Sequence, residues 1–272
     1  MGISSTVHNR LRLIGGVGTG AVAAALFLGA PALALGTSAL ANASCMSNGT
    51  TTVGDGGCTV TGTGTAVAIG TGDTVSTNGT NEHATAIGNN DQVVAGTTST
   101  DSNNTSLAVG NNDIVATGQG TGNTATVYGS GNTAAAGVGN YNTVTIGTPL
   151  TPSDNNVVAA GNGNYNSASV IGNGNLAGAV DGNNNHVNVL GSSNTAAAGN
   201  GDGNNVTVVG NSNTAVAGAN RSVTGGNNNN SVAVFGSGNQ AFAGAPNLTT
   251  VTNGASNNHL TVVGNNQIRH KP

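Results

Sequence analysis

Charge is the first thing this chain lacks. Only 5% of its 272 residues are charged, and Lys and Arg together number five. Beyond Arg10 and Arg12 the basic side chains are Arg221, Arg269 and Lys271, set against nine acidic ones. A nucleic-acid surface needs clustered Lys and Arg to displace phosphate counterions, so nucleic acid is excluded as a partner. Tryptophan is absent, and there are three Phe and three Tyr. A conventional core of large side chains cannot be built from that inventory. Catalytic groupings are missing as well. No nucleophile, histidine and acid fall together, no strand–loop–helix motif cradles a phosphate, and no carboxylate pair stands in a distinctive context. The chain is read as non-enzymatic and without a cofactor.

What is present is glycine, 46 residues of it, and short apolar alternation. Residues 204–218 read NNVTVVGNSNTAVAG. Asn204, Val206 and Val208 share one face, and so do Asn213, Ala215 and Ala217. Period two specifies β-strand, because successive side chains point to opposite faces. Gly210 and Gly218 end the two strands where the backbone must turn. Each asparagine is read as a turn former that leads into the next strand.

The glycine closing the larger strand recurs at Gly70, Gly88, Gly110, Gly129, Gly147, Gly172, Gly191, Gly210, Gly236 and Gly264. The spacings are 18, 22, 19, 18, 25, 19, 19, 26 and 28. The reading is an all-β parallel β-solenoid, a β-roll or β-helix of about ten two-strand repeats of about 19 residues. The extra residues are assigned to loops at 148–153, 219–229 and 245–257, since insertion within a strand would flip its faces. Because Leu150 stands three residues after Gly147, where other units carry Asp, Asn or Gln, the small strand of that unit is assigned to 156–161.

Residues 1–43 read as an export signal. Arg10 and Arg12 form its basic region, residues 13–35 are apolar and small, and small-x-small cleavage sites end at Ala41 and Ala43. An uncleaved membrane anchor is the alternative, since the apolar run is long enough to span a bilayer. In the cleaved chain no membrane span is expected, and the location is secreted or at the cell surface. Residues 44–64 are assigned to an N-terminal cap closed by a Cys45–Cys58 disulfide, as two cysteines in an exported chain most simply pair. On the chain-entropy argument a loop of roughly 14 residues is worth about 3 kcal/mol. The repeat domain is assigned to 65–267 and a short basic tail to 268–272.

The larger strands at 66–70, 84–88, 106–110 and 231–236 read AVAIG, ATAIG, SLAVG and SVAVFG. They resemble the head repeats of trimeric autotransporter adhesins, the YadA-like head. That resemblance implies a left-handed parallel β-roll, a trimer and surface exposure. A second resemblance is to curlin repeats, on Gly210, Asn211, Ser212, Asn213, Thr214 and Ala215. It implies a fibre subunit of the functional-amyloid kind.

Three groups of residues carry candidate chemistry. His83, His186 and His259 share one column but stand several units apart, too far for one ion. Asp73, Asp91 and Asp113 occupy three consecutive units of another column. Stacked carboxylates repel, and Ca²⁺ would relieve that; Asp replacing Asn as a turn former explains the column without a metal. Third, the residue before each marker glycine is apolar: Ile69, Ile87, Val109, Tyr128, Ile146, Ile171, Leu190, Val209, Phe235 and Val263. Either this column turns inward at a bend, or it is an exposed stripe for self-association. The functional expectation is a surface structural or adhesive element whose partner is itself, with host or environmental surfaces as further partners. A curli-type fibre and an ice-binding solenoid are the alternatives. The ice-binding reading needs a regular Thr face, which the outward small-strand pairs Thr133/Ala135, Thr195/Ala197, Thr214/Val216 and Gln240/Phe242 do not keep.

Overall fold

The computed structural model describes residues 45–48, 52–54, 57–218, 228–244, 259–264 and 268–271. The export-signal assignment at 1–43 lies outside them, as do most of the loops at 219–229 and 245–257.

Among the described residues every element is a strand. The chain opens with β1 (Cys45–Ser47), β2 (Thr52–Gly54), β3 (Cys58–Thr71) and β4 (Thr74–Asn89). Short strands then follow: β5 (Gln92–Ala95), β6 (Thr105–Asn111), β7 (Ile114–Thr117), β8 (Thr124–Ser130), β9 (Thr133–Gly137), β10 (Thr143–Ile146), β11 (Val157–Gly161) and β12 (Ser167–Ile171). The last nine are β13 (Leu176–Val180), β14 (His186–Leu190), β15 (Thr195–Gly199), β16 (Asn205–Val209), β17 (Thr214–Ala217), β18 (Ser231–Phe235), β19 (Gln240–Ala243), β20 (His259–Val263) and β21 (Ile268–Lys271).

From β5 onward each strand pairs in parallel with the strand two ahead of it, so even-numbered and odd-numbered strands form two stacks. The even stack holds the larger strands and the odd stack the smaller ones. β3 and β4 are long enough to serve both, pairing from Cys58↔Val75 to Thr71↔Asn89 with one bulge at Thr63/Gly64. This is a parallel β-solenoid of about eight turns of ~19 residues. The solenoid begins at Cys58, earlier than the residue 65 read from sequence. It also includes 268–271, which the sequence reading left as a tail: β21 pairs in parallel with β19.

The N-terminal end is closed differently. β1 runs antiparallel to both β2 and β3, and Cys45 is joined to Cys58 by a disulfide. An antiparallel strand laid over a parallel stack occupies the first edge without continuing its repeat.

The core between the stacks is thin, and its two sides compensate in size. Early turns set Ala84 and Ala86 of β4 beside Val75 and Val93, whereas later turns set Val187, Val189, Val206 and Val208 beside Ala196, Ala198, Ala215 and Ala217. Close packing demands such exchange, because a gap or clash of one methyl group is felt directly. Ala159 and Val180 form a small separate apolar cluster on the other face of the odd stack.

The asparagines of the Asn204 and Asn213 columns act otherwise than as turn formers, a role that falls to others such as Asn90 and Asn112. Positive φ falls on neighbours such as Ser212 and Gly203, while Asn204 and Asn213 are buried. Each one's side-chain oxygen accepts the backbone N–H of its counterpart one turn on: Asn213 N–H to Asn194 Oδ1 and Asn204 N–H to Asn185 Oδ1, both 2.9 Å. The Nδ2 then donates to a glycine carbonyl of a neighbouring turn, as Asn194 does to Gly210 at 2.8 Å. Two inner ladders result, and they satisfy backbone groups that the turns would otherwise leave buried and unpaired. Two outer ladders run the opposite way. Asn140 N–H donates forward to Asn164 Oδ1 at 2.8 Å, and Ser192 N–H to Asn211 Oδ1 at 2.8 Å.

One register mark shifts. Ile146 pairs with Val127 and Val170, which places it on the inward face, fully buried. Gly147 therefore matches Tyr128, and the marker position is taken by Ser153. Its carbonyl accepts Asn132 Nδ2 at 2.8 Å, and its hydroxyl accepts the Gly172 N–H at 2.9 Å. Residues 148–152 loop out of the turn, held by a Thr148↔Thr151 bridge.

Candidate functional site

The outward face of the even stack is built by alternation. In β14, Val187 and Val189 point inward, which leaves His186, Asn188 and Leu190 outside. Parallel pairing then carries each outward position from turn to turn in register. Ile69, Ile87, Val109 and Tyr128 form one unbroken row of partners. Ile171, Leu190, Val209, Phe235 and Val263 form another. Ile69 is 50% exposed, Ile87 39%, Leu190 51% and Phe235 42%. Val109, Tyr128, Ile171 and Val209 are half-buried, flanked along the rod by their neighbours. The side chain of Val263 lies outside the described residues. Ile146 is the exception and leaves the stripe, because its strand ends one residue early. Gly147 stands in its place, so the stripe is two apolar segments divided by a glycine.

Beside the stripe, outward positions carry small hydroxyls. Thr124 and Thr126, Thr143 and Thr145, and Ser167 and Ser169 lie in three consecutive rows of partners. The sequence reading looked for such an array on the odd stack and overlooked this one. Its signal was the repeated Thr-x-Thr in the larger strand.

His83, inside β4, and His186, at the head of β14, are both exposed. The pairing puts them five rows apart, and His259 three rows further on, in one column.

Asp73, Asp91 and Asp113 are the first three rungs of one inner ladder and are buried. The Asp91 N–H donates to Asp73 Oδ1 and the Asp113 N–H to Asp91 Oδ1, each at 2.9 Å. They stand one per turn and do not converge on a common point. Among the described residues no group of three or more His, Cys, Asp or Glu is placed to hold a metal ion. The column is a ladder of backbone-bonded carboxyls, one per turn. Burial raises all three carboxyls, Asp91 to about 7 and Asp113 to about 6, against backbone hydrogen bonds that lower them.

The sequence reading missed Glu82, which begins the second inner ladder. It is fully buried, and Asn104 donates to it twice, from N–H at 3.1 Å and from Nδ2 at 3.2 Å. Burial pushes its carboxyl up to about 7, with Asp101 adding repulsion. The clue was its place two residues before a larger-strand alanine, where Asn104 precedes Ser106 in the next turn. Asp101 is the opposite case. Burial opposes its charge, but N–H groups of Thr97, Gly120 and Thr98 outweigh this and hold its carboxyl below the usual range. Also missed was a corner stack of Tyr141 on Tyr165, with ring centroids 5.2 Å apart.

Among the described residues no helix is long and apolar enough to cross a membrane. No family model, curated protein or solved structure matches the chain, so the two resemblances extend no further than the parallel β-solenoid itself.

Proposed function

We propose that this chain is a non-enzymatic structural rod, exported to the cell surface or beyond, that associates with copies of itself along the even-stack face. The observation that carries the reading is the exposed apolar stripe kept in register by parallel pairing. A row repeating at ~4.8 Å along a straight stack is matched best by a second surface with the same repeat, and another copy supplies it. The even strands from β6 to β18 contain no Asp, Glu, Lys or Arg, so this face sets no like charges against a second copy. The antiparallel strand β1 favours a discrete lateral assembly over an open-ended fibre, because it occupies the N-terminal edge with a non-repeating partner. Adhesion to host or environmental surfaces is the use such a rod would serve.

The test is the mass of the refolded chain by light scattering, for the wild type and for Leu190→Ser with Phe235→Ser. A discrete oligomer that becomes a folded monomer in the variant supports the proposal. A monomeric wild type removes it.

A second reading is favoured by the hydroxyl rows at Thr124/Thr126, Thr143/Thr145 and Ser167/Ser169. A flat, regular hydroxyl array suits binding to an ordered surface such as ice. Thermal hysteresis that disappears in Thr126→Tyr would support it, and no hysteresis in the wild type would end it.

A further inference from the structure

One inner ladder changes chemistry part-way along the rod. In its later rungs Oδ1 accepts the N–H of the next rung, and Nδ2 donates to the carbonyl of the next turn's marker glycine. Asn156 reaches Gly172, Asn175 reaches Gly191 and Asn194 reaches Gly210, each at 2.8 Å. In the first three rungs the residue is aspartate. Its Oδ1 makes the same bond to the next rung. Its Oδ2 takes the place of Nδ2, and in all three residues that atom is buried without a partner.

The carbonyl is still there. A Cβ built on Gly88 would lie 1.5 Å from Gly110 O and 2.9 Å from Asp91 Oδ2, and one on Gly110 would lie 1.4 Å from Gly129 O and 2.7 Å from Asp113 Oδ2. Two acceptors thus crowd one spot where later turns set a donor against an acceptor. An ionised carboxylate would leave that contact repulsive and unsolvated.

We infer that Asp73, Asp91 and Asp113 are carried in the folded rod as neutral carboxylic acids, each donating its Oδ2–H to a glycine carbonyl of the next turn (Gly88, Gly110 and Gly129). The acids make the N-terminal turns a proton-dependent segment, closed at low pH and loosened at high pH, while the same ladder from Asn132 onward carries no titrating side chain.

The charged surroundings agree. The groups facing these acids are one another and Asp154 beside Asp113; on the other ladder Glu82 faces Asp101. His83 points outward, and no Lys or Arg lies between Arg12 and Arg221 to stabilise an anion. The sign follows from linkage. In the unfolded chain the aspartates ionise near 3.8, whereas in the rod Asp91 holds its proton to about 7 and Asp113 to about 6. The stabilisation is complete below the lower value, declines as pH rises through the upper ones, and is level above them.

The test uses the full chain with its disulfide intact. Hydrogen exchange, corrected for intrinsic rates, is followed in 70–115 and 175–215 between pH 4 and 9, beside a carboxyl ¹³C NMR titration. In the wild type, opening of the first segment should grow by up to about tenfold per pH unit for each acid between the two values. The second segment should stay level. The variant Asp73→Asn, Asp91→Asn, Asp113→Asn should lose most of that slope, and adding Glu82→Gln should remove the remainder. Aspartates that titrate near 4, or protection in the first segment that ignores pH, would overturn the inference. So would protection restored at pH 8 by Ca²⁺ in the wild type and not in the variant, which would make the spot a cation site. If the variant does not fold, the NMR titration of the wild type decides alone.

Discussion

Asn132 donates twice to Asp113 Oδ1, from its N–H at 2.8 Å and from its Nδ2 at 3.1 Å. This contact is where the ladder passes from acid to amide. On one side every rung brings its own donor for the carbonyl at the marker position; on the other the donor is a proton taken from solvent.

The exchange should work in reverse. Asn175→Asp would place an acceptor against the Gly191 carbonyl that Nδ2 now serves at 2.8 Å. Such a buried unpaired group costs about 1–3 kcal/mol. The variant should be destabilised by that amount at pH 8 and recover much of it at pH 4, as thermal melting at the two values would show. Equal loss at both values would mean that the proton does not restore the bond.

A marker glycine and a turn glycine should differ in their tolerance of a side chain. At Gly191 φ is 132°, and a Cβ would lie 1.9 Å from the Gly210 carbonyl oxygen. Backbone strain and steric overlap together put the cost of Gly191→Ala at about 3 kcal/mol or more. At Gly174 φ is 65°, but the nearest atom to a Cβ is Ser193 Oγ at 3.9 Å. Gly174→Ala should cost only about 1 kcal/mol, the left-handed penalty by itself. Denaturant unfolding of the pair separates the two causes.

Reduction of the Cys45–Cys58 bond should loosen the start of the rod before the remainder. The chain-entropy argument gives about 2–4 kcal/mol. In a stacked repeat each turn leans on its neighbours, so the loss should be read first in β3 and β4. Hydrogen exchange with and without reductant should show faster exchange at 58–89 and unchanged rates at 186–217.

Asp101 should give a pH effect of opposite sign to the ladder acids. Its carboxyl is lowered and accepts N–H groups of Thr97, Thr98 and Gly120 at 2.7, 2.8 and 2.9 Å. Its contribution is present above the usual aspartate pKa and lost as pH falls through its own lowered value. Asp101→Ala should therefore destabilise at pH 7 and cost progressively less as pH falls below the usual aspartate range, measured as the difference in melting temperature from the wild type.

Much of the architecture was legible in the sequence, and the reason is periodicity. Val206 and Val208 alternate, Gly210 follows, and the pattern returns one turn later, which is the mark of a stacked repeat. What hid was anything that depends on which atom meets which across turns. Asn204 and Asn213 looked like turn residues because asparagine favours turns, yet the neighbours took the positive φ and the asparagines went inside. Ile146 looked like a stripe residue because glycine followed it. Only pairing with Val127 revealed that its strand closes a residue early and that Ser153 completes the turn. Glu82 was invisible as a ladder rung because a single acid at the head of an asparagine column has no repeat to announce it.

The ladders carry an evolutionary consequence. Every rung hands the next the same oxygen and receives the same N–H, whatever the row number. A stretch of about nineteen codons could be copied or excised between two such rungs, and the seam would find its hydrogen bonds waiting. Length is then a heritable variable that can drift without redesign of the interior. The acidic start and the antiparallel cap are the parts such copying cannot duplicate freely, which makes them the fixed end from which a rod of any length is counted.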